Sequence, residues 1–532
     1  MTKHTLKLAA ALIATACSVP VLATETELFA AAGLPISLTN PGFEADGASV
    51  ASPYGWTSVG NSDADFLEWG GQSSNESYRL SHWAGSDYSI ATTQTVTGLR
   101  KGSYTLRVWG RRSTGDTQAY ATLDCGKGAS RVDLPAAWSG QWVQVAVSAQ
   151  TSSKGICKIG LHTDAAAGEW TNFDEVTLAP GELSLPVRGA DVSSLKKSED
   201  LGGVYYPADQ NKPKPRSALK ILKDEGTTHV RLRVWVNPAD SYHDLWELRE
   251  MAKRAKSQGL KVLVDLHYSD SWADPGQQNV PAQWANFSVA QMEAAVFLHT
   301  LAACAVVRES GAYPDMIQIG NELNSGMLWP HGHTWNPPSW ENLGRFLKAG
   351  YNAVKICSPK TKVVLHLAEG GSNGAFRWWF DNIVAQGVKF DVIAASYYGY
   401  WHGSMGDLQY NLNDIAARYG KEVLVAETAY PFTLGYKDNH ANSIGLPEQL
   451  VAGYPATPEG QAANLRDVLS IVRAVPNNRG LGVFYWDATW TAVPGNGWDP
   501  TDSASGNSWE NQALFDFNNV ATPALKEFSR DE

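Results

Sequence analysis

The fold of the larger, C-terminal part of the chain is decided by a strand–helix–strand pattern: His229-Val-Arg-Leu-Arg-Val234, the helical stretch Asp244–Gln258, then Lys261-Val-Leu-Val-Asp-Leu266. Short runs rich in β-branched residues predict buried strands, and their alternation with helices predicts a parallel sheet. Similar runs recur at residues 187–192, 316–320, 362–366, 392–396, 423–426 and 482–486, with helical stretches at 289–310 and 340–356. Eight such strands predict an α/β fold of the (β/α)8 barrel type. A doubly wound open sheet is the alternative, although no glycine-rich dinucleotide loop follows the first run.

The N-terminal part of the chain has a different pattern. Residues 34–180 alternate short apolar-polar runs with clusters of Gly, Ser, Asn and Asp, for example in Tyr104–Trp109, Ala119–Leu123, Trp142–Val147 and Lys158–Leu161. Period-two runs at this spacing, with few helical stretches, predict a smaller antiparallel β-sandwich of the jelly-roll type. A short link containing Pro and Gly follows, and the barrel is predicted over residues 184–530.

The first 23 residues predict a cleaved secretory signal. Lys3 and Lys7 flank the start of the chain, Leu8–Ala16 is a short apolar run, and Val21-Leu-Ala23 provides the cleavage positions. This run is too short to span a bilayer, and we find no later run that is long enough. We therefore expect a secreted protein, extracellular or periplasmic, with no membrane contact after the signal is removed.

Composition excludes two broad classes of protein. Hydrophobic residues make up 43% of the chain and include 21 Trp, which excludes global disorder. The net charge is −11 and no block of Lys and Arg stands out, which argues against a nucleic-acid partner. We expect the protein to be a monomer.

Four cysteines remain once the signal, with Cys17, has been removed. In an oxidising compartment pairing is the default, so Cys125 and Cys157, which lie in one β-rich region, are predicted to form a disulfide. Cys304 and Cys357 lie in or near two consecutive helical stretches, where they either pair or remain buried thiols.

Two glutamates end predicted strands of the barrel. The fourth run ends Ile319-Gly-Asn321-Glu322, and the seventh ends Leu424-Val-Ala-Glu427. Barrel enzymes carry their catalytic groups at the C-terminal ends of the strands. Two carboxylates that face each other there are what glycoside hydrolysis needs, one to protonate the leaving oxygen and one to attack or to activate water. Either glutamate alone would more often be an ordinary solvated side chain.

Other strand ends supply polar and aromatic side chains for the same cleft. Asp265 and His267 share one face at the end of the third strand, and Arg231 and Arg233 share a face of the second, where pairing with the site carboxylates would explain them. Indole rings stack on the apolar face of a sugar, so tryptophans near the strand ends favour a carbohydrate cleft. The predicted substrate-binding residues are Asn321, Arg233, Trp235, Asp265, His267, Trp272, Tyr397, Tyr398, Trp401 and Trp486.

The barrel resembles glycoside hydrolase family 53, the endo-β-1,4-galactanases of the retaining clan A. The resemblance lies in stretches that occur in order along nearly all of the barrel: Gly189–Ser193, Val230–Trp235, Asp265–Pro275, Gln318–Glu322, Ser396–Tyr398, Ala426–Pro431 and Ser508–Phe515. It implies that Glu322 is the acid/base, that Glu427 is the nucleophile and that β-1,4-galactan is the substrate, with no cofactor required for the chemistry. We expect Arg233 and a tyrosine of the sixth strand to keep Glu427 ionised. Asp487 departs from the family pattern, which usually has Glu after the tryptophan of the last strand.

Two structural calcium sites and a binding module follow from resemblance. The loop carrying Asp438, His440 and Asn442 resembles a calcium site of bacterial members, with one early acidic ligand replaced; the alternative is an ordinary polar loop. The sandwich looks similar to carbohydrate-binding modules, whose first and last strands often share a calcium, so Glu44 and Asp174 are candidate ligands. Possible platforms for a glycan there are Trp69, Trp83, Trp138 and Trp142.

Two other functions remain as alternatives. Another endo-glycosidase of the same clan, a mannanase or cellulase, would share the two glutamates, and only the stretches around Asp265 and Ser508 argue against it. A non-catalytic glycan-binding protein is the second alternative, and the presence of both Glu322 and Glu427 argues against that.

Overall fold

The structure, a computed structural model, describes residues 35–72, 78–136, 140–208, 214–335 and 337–529. The predicted signal peptide and Trp138 lie outside the described residues. Within them the chain forms a β-sandwich followed by a closed barrel. The predicted fold class is therefore confirmed, and the open-sheet alternative is wrong.

Ten antiparallel strands form the sandwich: β1 Thr57–Gly60, β2 Asp65–Trp69, β3 Tyr78–Trp83, β4 Tyr88–Val96, β5 Ser103–Arg112, β6 Thr117–Asp124, β7 Ala129–Asp133, β8 Val143–Gln150, β9 Cys157–Ala165 and β10 Trp170–Pro180. One sheet has the order β1-β4-β9-β6-β7 and the other the order β2-β3-β10-β5-β8. Alternate side chains of each strand point inward, so Leu80, Leu106, Leu161 and Phe173 are buried between the sheets. The remaining alternate side chains of the second sheet point outward.

Eight parallel strands close the barrel in chain order: β11 Val187–Asp191, β12 His229–Val234, β13 Lys261–Leu266, β14 Pro314–Ile319, β17 Lys362–Leu367, β18 Val392–Ser396, β19 Glu422–Thr428 and β20 Gly480–Tyr485. The intervening hairpin β15 Gly326–Met327 and β16 Gly332–His333 lies in the loop after β14. Strands buried on both faces account for the nearly continuous apolar runs in the sequence. All eight strands direct their C-terminal ends to one face of the barrel.

Helices surround the barrel: α1 Leu195–Asp200, α2 Ala218–Asp224, α3 Leu245–Ser257, α4 Val289–Glu309, α5 Trp340–Cys357, α6 Asn373–Ala385, α7 Met405–Tyr419 and α8 Pro458–Arg473. Their starts follow local capping chemistry. Asp244 accepts from the backbone of Glu247 at the start of α3, and Ser288 and Ser404 form capping boxes at α4 and α7.

Helix α4 is long and apolar enough to cross a membrane by length and composition, contrary to the expectation that no such run follows the signal. In the structure it packs between α3 and α5, and Met292, Val296 and Val307 are buried in the barrel's core. That packing accounts for the apolar residues on the buried side of the helix, whereas Leu298 on its other side is 61% exposed.

The four cysteines among the described residues form two disulfides. Cys125 and Cys157 join the ends of β6 and β9, as expected, with their Cα atoms 4.0 Å apart. Cys304 and Cys357 join α4 to the end of α5 across a Cα–Cα distance of 6.3 Å, which decides between the two alternatives left open by the sequence.

The sandwich packs directly against the barrel. Val143, at the start of β8, belongs to the same buried apolar cluster as the barrel core. The side chain of Gln409 on α7 both donates to and accepts from the backbone of Gln144, each at 2.7 Å, so it pairs with the edge of the sheet. Arg107 on β5 donates to the carbonyl of Ala474 after α8. The two parts of the chain therefore meet in a defined interface.

Candidate active site

Glu322 and Glu427 meet above the C-terminal ends of the barrel strands. Gly320 and Glu322 both have positive φ, at 80° and 46°, so the chain turns sharply after β14 and brings Glu322 back over the barrel. A left-handed conformation is strained for a glutamate, and such strain concentrates at functional sites. One oxygen of each carboxylate and a ring nitrogen of His366 all lie within 4.8 Å of one another. The glutamates line a cleft of about 410 Å3.

Arg231 is the central cation beneath the cleft. Its fully buried guanidinium lies 2.9 Å from oxygens of Asp191, Asp265 and Glu427. A buried arginine is costly unless it is paired, and three carboxylates offset that cost here. The arrangement fixes the Glu427 carboxylate in place, because one of its oxygens is bound to this cation.

The two glutamates differ in how readily they ionise. Burial raises the pKa of both, and for Glu322 the nearby Glu427 carboxylate raises it further, to well above the ordinary value. Arg231 and the Tyr398 hydroxyl, which donates to Glu427 Oε2 at 3.0 Å, oppose the effect of burial at Glu427. The pair therefore loses its first proton from Glu427, while Glu322 keeps its own.

A hydrogen-bonded chain supports Glu322 from the other side. The Ser396 hydroxyl donates to Glu322 Oε1 at 2.6 Å and lies 2.9 Å from His366 Nε2, whose Nδ1 is 2.9 Å from Asn321 Oδ1. Burial holds the pKa of His366 well below its ordinary value, so the imidazole is neutral. The chain links both glutamates, because Asn321 also accepts from Arg231 at 2.9 Å.

Most of the predicted substrate-binding side chains line the cleft together with the glutamates. Those that do are Asn321, Arg233, His267, Trp272, Tyr398, Trp401 and Trp486. Three of the predicted residues, Trp235, Asp265 and Tyr397, do not line it.

Asp265 and Trp235 lie behind the cleft. The Asp265 carboxylate is buried. It forms an ion pair with Arg231 and hydrogen bonds with His267 Nε2 at 3.0 Å and Gln318 at 2.6 Å, so it orients these groups. The ring of Trp235 packs edge-on against Trp272 with centroids 5.4 Å apart. Both residues act on the cleft through the side chains in front of them.

Tyr397 faces away from the catalytic pair. Consecutive residues at a strand end point in opposite directions, so only one of two adjacent tyrosines can reach Glu427. Tyr398 does so, whereas the Tyr397 hydroxyl donates to the carbonyl of Gly403 at 3.1 Å. Tyr397 lines a second cleft, between sandwich and barrel.

The expected pairing of Arg233 with Glu427 is wrong. The guanidinium of Arg233 lies 4.0 Å from the centroid of Trp272 and donates to His243 Nε2 at 3.1 Å. Two residues along a strand correspond to about 6–7 Å, which lifts Arg233 above the level of the carboxylates. Arg231, one alternate position lower, takes the role that was expected of Arg233.

The sequence reasoning missed several residues of the site. Gln318 and His366 lie inside the barrel, where they join the hydrogen bonds described above, and Ser396 holds Glu322. Their signal was a polar side chain ending or interrupting an apolar strand run, which pointed inward but did not identify a partner. Trp498 and Trp509 complete the cleft from loops after β20.

The three predicted ligands of the barrel calcium site make local hydrogen bonds in the loop after β19. Asp438 accepts from the backbones of His440 and Asn507, each at 2.7 Å, and Asn442 donates to the Gly435 carbonyl. Among the described residues, the one group of three His, Cys, Asp or Glu ligand atoms close enough for a metal is that of Glu322, His366 and Glu427. Calcium in this loop stays a prediction.

In the sandwich, Glu44 lies close enough to Asp174 of β10 to affect the pKa of that carboxyl. Burial, with smaller contributions from the carboxylates of Glu175 and Glu44, raises the pKa of Asp174 to about 7. Asp174 accepts from the backbones of Gln72 and Glu175, at 2.7 and 2.8 Å, and Glu44 accepts from the backbone of Tyr78. A cation would suit this concentration of negative charge, and the predicted site stays a prediction.

Asp487, where the family pattern departs, has a structural partner. It is fully buried and accepts from the backbones of Ser194 and Thr489, each at 3.0 Å. It therefore holds together the loops that follow β11 and β20, behind the cleft.

Known proteins resemble the barrel region. The sequence model described as Glycosyl hydrolase family 53 matches residues 187–528. An endo-beta-1,4-galactanase of Bacillus subtilis (strain 168) is 34% identical over 380 residues, which cover 65% of this chain and 86% of that protein. An arabinogalactan endo-beta-1,4-galactanase of Thermothelomyces thermophilus is 34% identical over 355 residues, covering 65% of this chain and 100% of that protein. The solved Ignisphaera aggregans GH53 catalytic domain has 42% identity and a TM-score of 0.61, and covers 65% of this chain and 95% of its own.

Proposed function

Because the chain belongs to glycosyl hydrolase family 53, we propose that this glycoside hydrolase cleaves internal β-1,4-galactosidic bonds of galactan. The observation that carries the proposal is the pairing of Glu322 with Glu427 at the ends of the fourth and seventh barrel strands, with carboxylate oxygens within 4.8 Å. The galactanase names of the relatives support the choice of substrate. The side chains of pectin, in which such galactan occurs, are the source that we propose.

The proposed reaction is a double displacement with retained configuration. Glu427 attacks the anomeric carbon while Glu322 gives its proton to the departing glycosidic oxygen, which breaks the bond and leaves a glycosyl-enzyme. Glu322, now ionised, takes a proton from water, and the resulting hydroxide displaces Glu427 from the sugar. The short distance supports direct attack, since inverting enzymes place their carboxyl groups about 6.5–9.5 Å apart to admit a water.

The electrostatics of the site also support Glu427 as the nucleophile and Glu322 as the acid. The nucleophile has to be ionised and the acid protonated in the same resting enzyme. Arg231 at 2.9 Å and the Tyr398 hydroxyl at 3.0 Å both favour the charged form of Glu427. Within the described ranges Glu322 forms no ion pair, and its carboxylate accepts from the Ser396 hydroxyl, so its raised pKa suits a proton donor.

We propose that the sandwich, over residues 34–180, is a glycan-binding module attached to a barrel over residues 184–530. A polar row crosses the outward face of its second sheet: Ser81 donates to Glu68 at 2.7 Å, Asn172 donates to Ser81 at 2.9 Å, and Arg111 donates to Asn172 at 2.9 Å. The guanidinium of Arg111 also lies 4.6 Å from the centroid of Trp142. Ser81 and Asn172 are buried, so the partly exposed Glu68 and Arg111 are the groups of the row that would bond to a sugar ring beside the indole.

The other predicted platforms in the sandwich differ in position. Trp83 is 47% exposed at the end of β3, and its neighbour across the sheet is Trp170, on the same face as the polar row. Trp69 packs edge-on with Tyr78, off that row.

An Arg111→Ala variant should be retained less by insoluble galactan than wild type, with Lys158→Ala on the opposite sheet as control. Equal retention of all three proteins would contradict the module assignment.

We propose secretion past the inner membrane, since two disulfides within the described residues suit an oxidising compartment. The chemistry of two carboxylates needs no cofactor, and calcium would act on the loops alone. We also propose that the enzyme works as a monomer, without a nucleic-acid partner.

A panel of polysaccharides tests the function. Purified enzyme should release reducing ends and short oligosaccharides from β-1,4-galactan and leave mannan and cellulose intact. Activity on mannan or cellulose with none on galactan would favour another endo-glycosidase of the same clan. Binding without turnover on any of the three would favour the non-catalytic alternative.

A further inference from the structure

A second cleft of about 400 Å3 lies between the sandwich and the barrel. Gln141 contributes to it from the sandwich, and Tyr397, Tyr400, Val451 and Asn464 from the barrel. Its volume is within the range of small-ligand sites, which is about 300–1,000 Å3. Neither glutamate lines this second cleft, and none of their hydrogen-bond partners described above does so. The catalytic arrangement therefore does not account for it.

The second cleft adjoins the catalytic one. Trp401 lines both, and 53% of its side chain is exposed. Its ring packs edge-on against Tyr400, at 4.7 Å between centroids, and lies 5.8 Å from Tyr398, whose hydroxyl binds Glu427. A chain that leaves the catalytic glutamates over Trp401 therefore reaches the space between the domains.

The cleft also holds a polar group that has no partner among the described residues. Asn464 on α8 is 3% exposed, and its Nδ2 has no hydrogen-bond acceptor within the part of the chain that the structure describes. A buried amide that lacks a partner costs about 1–3 kcal/mol, so such groups indicate a ligand or an ordered water. From the opposite wall the exposed Gln141 reaches the start of α7, where a Cβ added to Gly406 would come within 3.1 Å of its Oε1.

We propose that this cleft is a distal binding site for the galactan chain, built jointly by the two domains and continuous with the catalytic cleft over Trp401. The ligand is a stretch of neutral β-linked galactosyl residues, whose hydroxyls accept from Asn464 and bond to Gln141 while a ring packs on the aromatic side chains. This inference rests on the proposed galactanase function and specifies how the enzyme holds a long chain. The sandwich then contributes to turnover of polymer through the site that it completes.

The test compares substrates of different length. We would measure kcat/KM on polymeric galactan and on short β-1,4-galacto-oligosaccharides, and take the ratio for wild type, Gln141→Ala and Asn464→Leu. Loss of one hydrogen bond should lower this ratio by about threefold to tenfold in each variant, through KM on the polymer. Gln118→Ala is the matched control and should keep the wild-type ratio, because this exposed glutamine of β6 does not line the second cleft.

Each outcome decides between the possibilities. An unchanged ratio in Gln141→Ala would overturn the proposal. This holds also if the ratio falls in Asn464→Leu alone and the melting temperature of that variant falls with it, because the substitution then disturbs packing. A cleft that holds water alone gives the same unchanged ratio. If the wild-type enzyme cleaves neither the polymer nor the oligosaccharides, the proposed function itself fails. If wild type has the same kcat/KM on the polymer and on the short oligosaccharides, only the distal site is contradicted.

Discussion

Replacement of Tyr398 by phenylalanine removes one hydroxyl from the site and leaves the ring. That hydroxyl donates to Glu427 Oε2 at 3.0 Å in a buried setting. A hydrogen bond to a charged group is worth about 1.5–3 kcal/mol, and one pKa unit corresponds to about 1.4 kcal/mol. Because the bond favours the ionised carboxylate, its loss should raise the pKa of Glu427 by about one to two units.

The shift has a definite sign in the pH profile. Glu427 has to be ionised to attack, so the acidic limb of kcat/KM follows its pKa and should move to higher pH in Tyr398→Phe. At a pH below both limbs, the ionised fraction falls by about 10- to 100-fold. The basic limb, which depends on protonated Glu322, should move much less, and the bell should narrow.

The assay is kcat/KM on a soluble galacto-oligosaccharide across the pH range. Tyr430→Phe is the control, since its buried hydroxyl donates to the carbonyl of Tyr454 at 2.7 Å and not to either glutamate. This control should keep both limbs. An acidic limb in Tyr398→Phe that stays at the wild-type pH, or that moves to lower pH, would refute the electrostatic reasoning.

Three further outcomes are expected. Ser396→Ala removes the donor to Glu322, which raises the pKa of that acid, so the basic limb of kcat/KM should move to higher pH; a shift to lower pH would contradict this. Replacing both Cys304 and Cys357 by alanine opens a loop of 53 residues and should lower the free energy of unfolding by about 2–4 kcal/mol in urea titrations, and an unchanged value would show that the disulfide adds nothing. With an aryl galactoside and azide, Glu322→Ala should give the β-azide and Glu427→Ala the α-azide, and the reverse would exchange the two roles.

Much of the barrel and its carboxylate pair could be predicted from sequence. Strand runs buried on both faces are visible as apolar segments, and Glu322 and Glu427 stand at their ends, where parallel strands converge. The prediction of the barrel and the prediction of the carboxylate pair both depend only on the order of the strands along the chain. That order was enough to predict that two glutamates distant in sequence lie close together.

Details that depend on depth and direction could not be predicted. Arg231 and Arg233 share a strand face, and only the structure shows that the lower one reaches Glu427. Tyr397 and Tyr398 are adjacent, and the sequence does not say which of them faces the carboxylates. His366 is an interior histidine whose role depends on partners from other strands.

The cleft between the sandwich and the barrel could not be predicted from the sequence for a different reason. Gln141, Trp401 and Asn464 are far apart in the chain and belong to different kinds of element. Patterns within single strands or helices carry no information on how a sandwich packs against a barrel. The prediction of a simple linker between two units therefore missed the surface that they share.

The configuration of the first product tests the central claim most directly. Proton NMR can follow the anomeric signals while the enzyme cleaves β-1,4-galactan, before mutarotation mixes the anomers. Direct attack by Glu427, followed by water activated at Glu322, predicts that the β-anomer appears first. Initial release of the α-anomer would contradict the double displacement and the roles given to both glutamates.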